Sequence, residues 1–139
     1  MKEIKGFKDE YAFLSNMFPA SFSENGVTFS CTESYYMGHK SGKSSDLVRF
    51  ACLNGYEAKK LGKTVVLQDD WDTKKLGIMK QALILKFSQN PDLRDKLLAT
   101  EDAYLEETNF WRDFFWGVCD GKGENFLGKL LMEVREELA

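Results

Sequence analysis

The stretch Trp71-Asp72-Thr73-Lys74-Lys75-Leu76-Gly77-Ile78-Met79-Lys80-Gln81-Ala82-Leu83-Ile84-Leu85-Lys86-Phe87-Ser88 decides the fold. Leu76, Met79, Leu83 and Phe87 recur at helical spacing and lay one apolar stripe along one face. An amphipathic helix of this length needs a layer to pack against, and the flanking segments supply it. On the far side, Asn90-Pro91 opens another helix, with Pro at its first position and Leu93, Leu97 and Leu98 facing inward. A final helix is expected from about Asn125, with Leu127, Leu130, Leu131, Val134 and Leu138 as its stripe.

Upstream, Thr32 reads as the N-cap of a helix from Glu33 to about Ser41. Ser45 reads as the cap of a stretch from Asp46 to Leu53. A short helix from Tyr56 to Leu61 follows, with Gly62 suited to the left-handed C′ position. Phe22 and Val27-Thr28-Phe29 flank Glu24-Asn25-Gly26, and Asn-Gly is a strong hairpin signal. Ala103-Tyr104-Leu105-Glu106 reads as a short strand. Phe13 to Pro19 reads as an irregular, largely buried loop. Val65-Val66-Leu67 is too short to assign. The expected architecture is mostly α, an α+β chain with a small β-hairpin or sheet element, forming one domain over residues 1–139.

Composition narrows the function. With 139 residues, 43% hydrophobic and 29% charged, the chain has room for one core and no signature of disorder. A net charge of −3 gives no broad basic face for a nucleic-acid backbone. Cys31, Cys52 and Cys119 are widely spaced without a CxxC pair, and His39 is the lone histidine. A disulfide framework, a zinc knuckle and an HExxH site are therefore disfavoured, and no metal or cofactor is expected. Met1-Lys2-Glu3-Ile4-Lys5 contains no apolar run, and no 18-residue apolar stretch occurs. A soluble, cytoplasmic, membrane-free chain is the expectation.

Three segments break the core-and-surface pattern. Glu33, Tyr36 or Met37, and Lys40 fall on one helical face, bringing a carboxylate, a ring and an amine together. A surface Glu and Lys flanking core tyrosines fit the same spacing. Asn109-Phe110-Trp111-Arg112-Asp113-Phe114-Phe115-Trp116-Gly117 sets five aromatics around an Arg-Asp pair. An acid among rings is where catalytic pKa values are tuned, and an ion pair sealing an aromatic core fits equally. Gly117 to Gly128 is a glycine-rich run leading into a helix N-terminus, where free N–H groups can hold phosphate. It fits neither the P-loop nor GxGxxG. Trp71, beside Asp69 and Asp70, is either a helix staple or a base-stacking platform.

These segments, in order, resemble the YbiA-like family, also called NADAR, from about Phe13 to Leu138. Phe13-Leu14-Ser15-Asn16-Met17-Phe18-Pro19 is similar to its FLSNFYP opening. Cys31 to Lys40 resembles an SxExxYxxxK helix, and Lys59-Lys60-Leu61-Gly62 its KxLG segment. A Trp-headed helix follows, as at Trp71 to Met79. The most specific block is Asp113-Phe114-Phe115-Trp116-Gly117, then Gly123-Glu124-Asn125-Phe126-Leu127-Gly128, then Leu131-Met132-Glu133-Val134-Arg135. The resemblance implies N-glycoside hydrolysis without a metal. Its substrates would be phosphoribosylamino-pyrimidine intermediates of riboflavin synthesis, or ADP-ribosylated guanine, free or in nucleic acid. It implies Glu33, Lys40 and Asp113 as catalytic groups. Ser15, Asn16, Tyr36, Trp71, Trp116, Gly117 and Asn125 would bind substrate. A non-catalytic module that binds ADP-ribose or an NAD derivative would use the same stacking and phosphate contacts.

Overall fold

Asn25 and Gly26 both carry positive φ, 52° and 81°. Two such residues in succession make the turn whose twist matches a right-handed hairpin. β2 (Phe22–Glu24) and β3 (Val27–Phe29) therefore pair antiparallel across them, with Phe22 opposite Phe29. The computed structural model describes residues 2–139; Met1, at the head of the N-terminal stretch read above, lies outside the described residues. Among these are six α-helices, one 3-10 helix (Asp9–Leu14) and four three-residue strands. The chain is mostly α, an α+β fold, as its periodicity implies.

The described residues gather into two compact units. The first spans residues 16–90 and holds the hairpin with α1 (Thr32–Gly38), α2 (Ser44–Ala51), α3 (Gly55–Gly62) and α4 (Trp71–Gln89). Phe22, Phe29, Tyr35, Ala51 and Ala82 form its core cluster. Phe29 meets Tyr35 edge-on at 5.0 Å. α1 is buried along its whole length, because α2, α3 and α4 all pack on it. Gly62 is helical and has no positive φ, against the expectation of a left-handed cap. Its role is close approach: a Cβ there would fall 2.3 Å from Met37 Sδ.

The expected helix starts move back by one residue at α1 and by two at α2. α1 begins at Thr32 and takes Cys31 as N-cap, because the Thr32 side chain is fully buried and drawn into the helix. The Ser34 hydroxyl accepts from Cys31 N–H at 3.3 Å. α2 begins at Ser44, with Lys43 as N-cap. α3 is capped reciprocally by Asn54 and Glu57, a capping box the sequence carries in plain view. α1 ends at Gly38, short of the expected Ser41. Residues 39–42 leave it as a turn, closed by His39 N–H to Tyr36 O at 3.2 Å and Lys40 N–H to Met37 O at 3.3 Å.

The second unit comprises the residues up to Ser15 and Pro91–Ala139. Its two-stranded sheet joins β1 (Glu3–Lys5) in parallel to β4 (Tyr104–Glu106), with Ile4 opposite Leu105. α5 (Pro91–Leu98) and α6 (Phe126–Leu138) pack together, and α6 also covers β4. Leu127, Leu130, Leu131 and Val134 are buried as the stripe requires. Gly128 lets α6 touch the strand: a Cβ there would lie 2.1 Å from Leu105 O.

Lys86, on α4, has no exposed surface, and its ammonium lies 5.1 Å from the Phe87 ring centroid and 5.9 Å from that of Phe18. Burial lowers its pKa to about 7, well below the ordinary lysine value, with the Cys31 thiol opposing the shift. Between that value and the free-chain one, the unfolded chain binds more protons than the folded one. Stability contributed by this group therefore rises with pH across that window. The urea midpoint of the native chain is expected to climb from pH 7 to pH 9, and Lys86→Met to remove most of the climb. A variant that retains the full climb contradicts this.

Candidate active site

Glu33, in the first turn of α1, is 7% exposed. A helix N-terminus favours a carboxylate, which explains how the acid tolerates this depth. Its backbone N–H donates to Asn16 O at 3.1 Å, tying the FLSN segment to the head of the helix. Two buried oxygens lie beside it with no hydrogen-bond partner: Asn16 Oδ1 and Thr32 Oγ1. Buried polar atoms are ordinarily satisfied, so an unsatisfied pair next to a buried acid marks a place for an external group.

Tyr36 lies one turn along the same face, and Lys40 follows one turn later. The Lys40 ammonium sits 5.9 Å from the Tyr36 ring centroid. Burial lowers the Lys40 pKa most, Glu33 opposes the shift, and Lys75 adds to it. The Trp71 ring contacts Tyr36, centroids 5.4 Å apart and tilted by 50°. Trp71 is 6% exposed, so most of its surface is used in packing α4 against α1. This unit thus brings together Asn16, Glu33, Tyr36, Lys40 and Trp71. Lys75 joins them through its effect on Lys40 and forms an ion pair with Asp72 at 3.1 Å. It escaped the sequence reading, although its place one turn after Trp71 was a usable signal.

The other expected residues belong to the second unit. Asp113 Oδ1 accepts from Phe115 N–H at 3.1 Å and from Trp116 N–H at 2.9 Å. Asn109 grips the same residue by its backbone, accepting from Asp113 N–H at 3.1 Å and donating to Asp113 O at 3.0 Å. Arg112 makes no ion pair with Asp113. Its guanidinium lies 5.1 Å from the Phe114 ring, and Phe110 is 88% exposed, so this segment is not a sealed aromatic core. Trp116 is half-buried and meets Phe115 edge-on at 4.8 Å. Gly117 is required by space: a Cβ would fall 1.9 Å from Glu107 Oε2 and 2.2 Å from Glu107 O. Ser15 closes the 3-10 helix, its N–H donating to Ala12 O at 3.0 Å.

The phosphate cradle expected before α6 is not formed as the sequence suggested. Phe126 N–H donates to Phe115 O at 3.1 Å and Leu127 N–H to Trp116 O at 3.0 Å. Asn125 is the N-cap by position, yet its side chain turns inward. Its Oδ1 accepts from Glu107 N–H at 3.0 Å and its Nδ2 donates to Leu105 O at 2.9 Å. The first donors of the helix are taken within the chain. A cavity of about 580 Å³ lies elsewhere in this unit, lined by Leu98, Glu101, Asp102, Met132, Glu133 and Arg135 among others, and none of the expected residues borders it. Among the described residues no three His, Cys, Asp or Glu side chains are grouped to hold a metal ion, and no helix is long and apolar enough to cross a membrane.

The family model of the NADAR domain matches residues 4–139. The chain belongs to the NADAR family. An N-glycosidase of Nostoc punctiforme is 37% identical over 135 residues, covering 92% of this chain and 86% of the relative. A chloroplastic riboflavin biosynthesis protein of Zea mays is 34% identical over 94% of this chain, which spans 24% of that longer protein. The NMR structure of Escherichia coli YbiA superposes with a TM-score of 0.88 at 32% identity, covering 99% of this chain and 84% of that one. The curated protein of that name is described as an N-glycosidase. The NADAR match runs through both units, so the FLSN segment, the Glu33 helix and the Asp113 block all fall within the one family domain.

Proposed function

We propose that this NADAR member is an enzyme that hydrolyses the C–N bond between a planar base and a phosphorylated ribose, with both units acting as one functional domain. Hydrolysis of N-glycosyl compounds is the activity its relatives are named for. The substrate reading is narrower and covers ADP-ribosylated guanine and phosphoribosylamino-pyrimidines. It is carried by one observation, the buried Glu33 flanked by the unpartnered oxygens of Asn16 and Thr32, on a face that leads to Lys40.

The roles follow from the chemistry. Ribosyl C–N cleavage builds positive charge at the anomeric carbon, which a nearby carboxylate stabilises. Lys40 is an amine with a lowered pKa, so its neutral, nucleophilic form is accessible nearer neutral pH. The amine attacks the anomeric carbon as the bond to the base nitrogen breaks. Glu33 carries the proton lost by the amine to the departing nitrogen. Ring opening gives an imine, and water then releases the phosphorylated ribose and restores the lysine. Trp71 is 6% exposed and packed on Tyr36, whereas Trp116 is half-buried and keeps more of its ring open for stacking on a base. With the α6 donors taken, Lys75 is the candidate for the phosphate end, and Asp113, Gly117 and Asn125 shape the loop that presents Trp116. No step calls on a metal.

Borohydride added during turnover in excess chelator should trap a reduced adduct of the chain on Lys40, located by peptide mass analysis. Lys40→Arg should give none and should lose turnover. Full turnover in Lys40→Arg, or base release without any adduct, contradicts the amine's role, and turnover that needs a restored divalent ion contradicts metal-free chemistry.

A further inference from the structure

We infer that Gln68 is a positioning residue that holds the Lys40 amine in register with Glu33. The inference rests on the reading of Lys40 given above. Helix α1 stops at Gly38, so Lys40 stands on a turn where the last carbonyls have no helical partner. Gln68 donates to the carbonyls of two residues of this turn, one of which, His39 O, also accepts from Gly42 N–H at 3.2 Å. Its backbone N–H donates to Lys40 O at 2.8 Å, and its side-chain Nε2 donates to His39 O at 2.8 Å. Its own Oε1 accepts from Lys74 Nζ at 2.8 Å, which fixes the orientation of the amide. Gly42 closes the same turn at φ 74°, and a Cβ there would lie 3.2 Å from the Gln68 side chain. The turn is thus gripped from one side by a single glutamine.

The surroundings make the grip specific. Residues 66–67 on the approach to Gln68 are exposed, Val66 by 86% and Leu67 by 51%, so apolar burial does little to hold this strap. The hydrogen bonds are what hold it. A glutamine can donate to a carbonyl without bringing a charge to the amine. The charged groups acting on Lys40 are Glu33 on α1 and Lys75 on α4, and Lys74 adds a further ammonium at the Gln68 amide. A glutamate in place of Gln68 has the same shape and keeps the Lys74 contact. It cannot donate to His39 O, and it adds a negative charge on the turn that carries Lys40. A reacting group released by an ångström loses rate steeply while substrate binding is spared.

The test compares Gln68→Ala, Gln68→Glu, Lys74→Ala and Lys40→Ala in the full chain, using ADP-ribosylated guanosine or a phosphoribosylamino-pyrimidine as substrate. Gln68→Ala should lower kcat about tenfold or more with KM within about twofold. Gln68→Glu should also move the pH at which kcat rises upward, by about one unit, because the carboxylate favours the ammonium form. Lys74→Ala should lower kcat less than Gln68→Ala does, because both Gln68 bonds to the turn remain available. A purely structural role would lower the melting temperature and leave the pH profile in place. Unchanged kcat and pH profile in both Gln68 variants, with Lys40→Ala inactive, overturns the inference alone. Retained turnover in Lys40→Ala overturns the lysine reading and this inference with it.

Discussion

Glu33→Gln is expected to lower kcat by about 100-fold or more, the usual scale for a positioned acid–base or electrostatic group. The fold should survive, because glutamine fills the same space and the Glu33 backbone bond to Asn16 O does not involve the side chain. The size of the effect comes from depth: at 7% exposure, solvent cannot replace the lost carboxylate. Lys40 should respond as well. Glu33 is the group that raises the Lys40 pKa against burial, so the variant should titrate Lys40 at lower pH. Slow turnover with an earlier alkaline rise is the combined signature. Near-native kcat would remove Glu33 from the mechanism.

Asp113→Ala is expected to be nearly as damaging, for a different reason. Asp113 Oδ1 accepts from both the Phe115 and Trp116 N–H groups. Removing it takes that acceptor from two loop donors, at about 2 kcal/mol or more in stability, and loosens the hold on Trp116. Turnover should fall by about 100-fold, together with the melting temperature. Asp113→Asn should behave differently, since an amide oxygen accepts the same two bonds, and it should stay within about tenfold of the native chain. A large loss of kcat in Asp113→Asn at unchanged stability would instead give the carboxylate a direct catalytic role. The two substitutions together separate bracing from chemistry.

Much of the fold was legible because the helices carry strong local signals. The α4 stripe, the Asn25-Gly26 turn and Pro91 at the head of α5 each depend on near neighbours in the chain. Parallel pairing of β1 with β4 depends on residues about 100 positions apart, and three-residue strands have no periodicity to announce it. Gly62 reads from sequence as a left-handed cap and Gly117 as the start of a phosphate-holding run, whereas close packing bears on both: a Cβ would meet Met37 at one and Glu107 at the other. The Glu33, Tyr36 and Lys40 face was visible from helical spacing. Asn125 was misleading because a helix-capping position looks the same whether its side chain faces outward or back onto a strand. Gln68 gave no signal at all, since its importance lies in which carbonyls a loop happens to reach.

The most direct measurement follows free base and reducing ribose by chromatography when the purified chain is mixed with ADP-ribosylated guanosine or a phosphoribosylamino-pyrimidine, beside unphosphorylated guanosine. One of the phosphorylated substrates should yield its leaving group (guanosine, from the ADP-ribosylated nucleoside) and reducing sugar in equal amounts, unphosphorylated guanosine should react far more slowly, and Glu33→Gln should slow the release by about 100-fold or more. Tight binding of every substrate with no base released, or equal cleavage of the unphosphorylated nucleoside, would contradict the account.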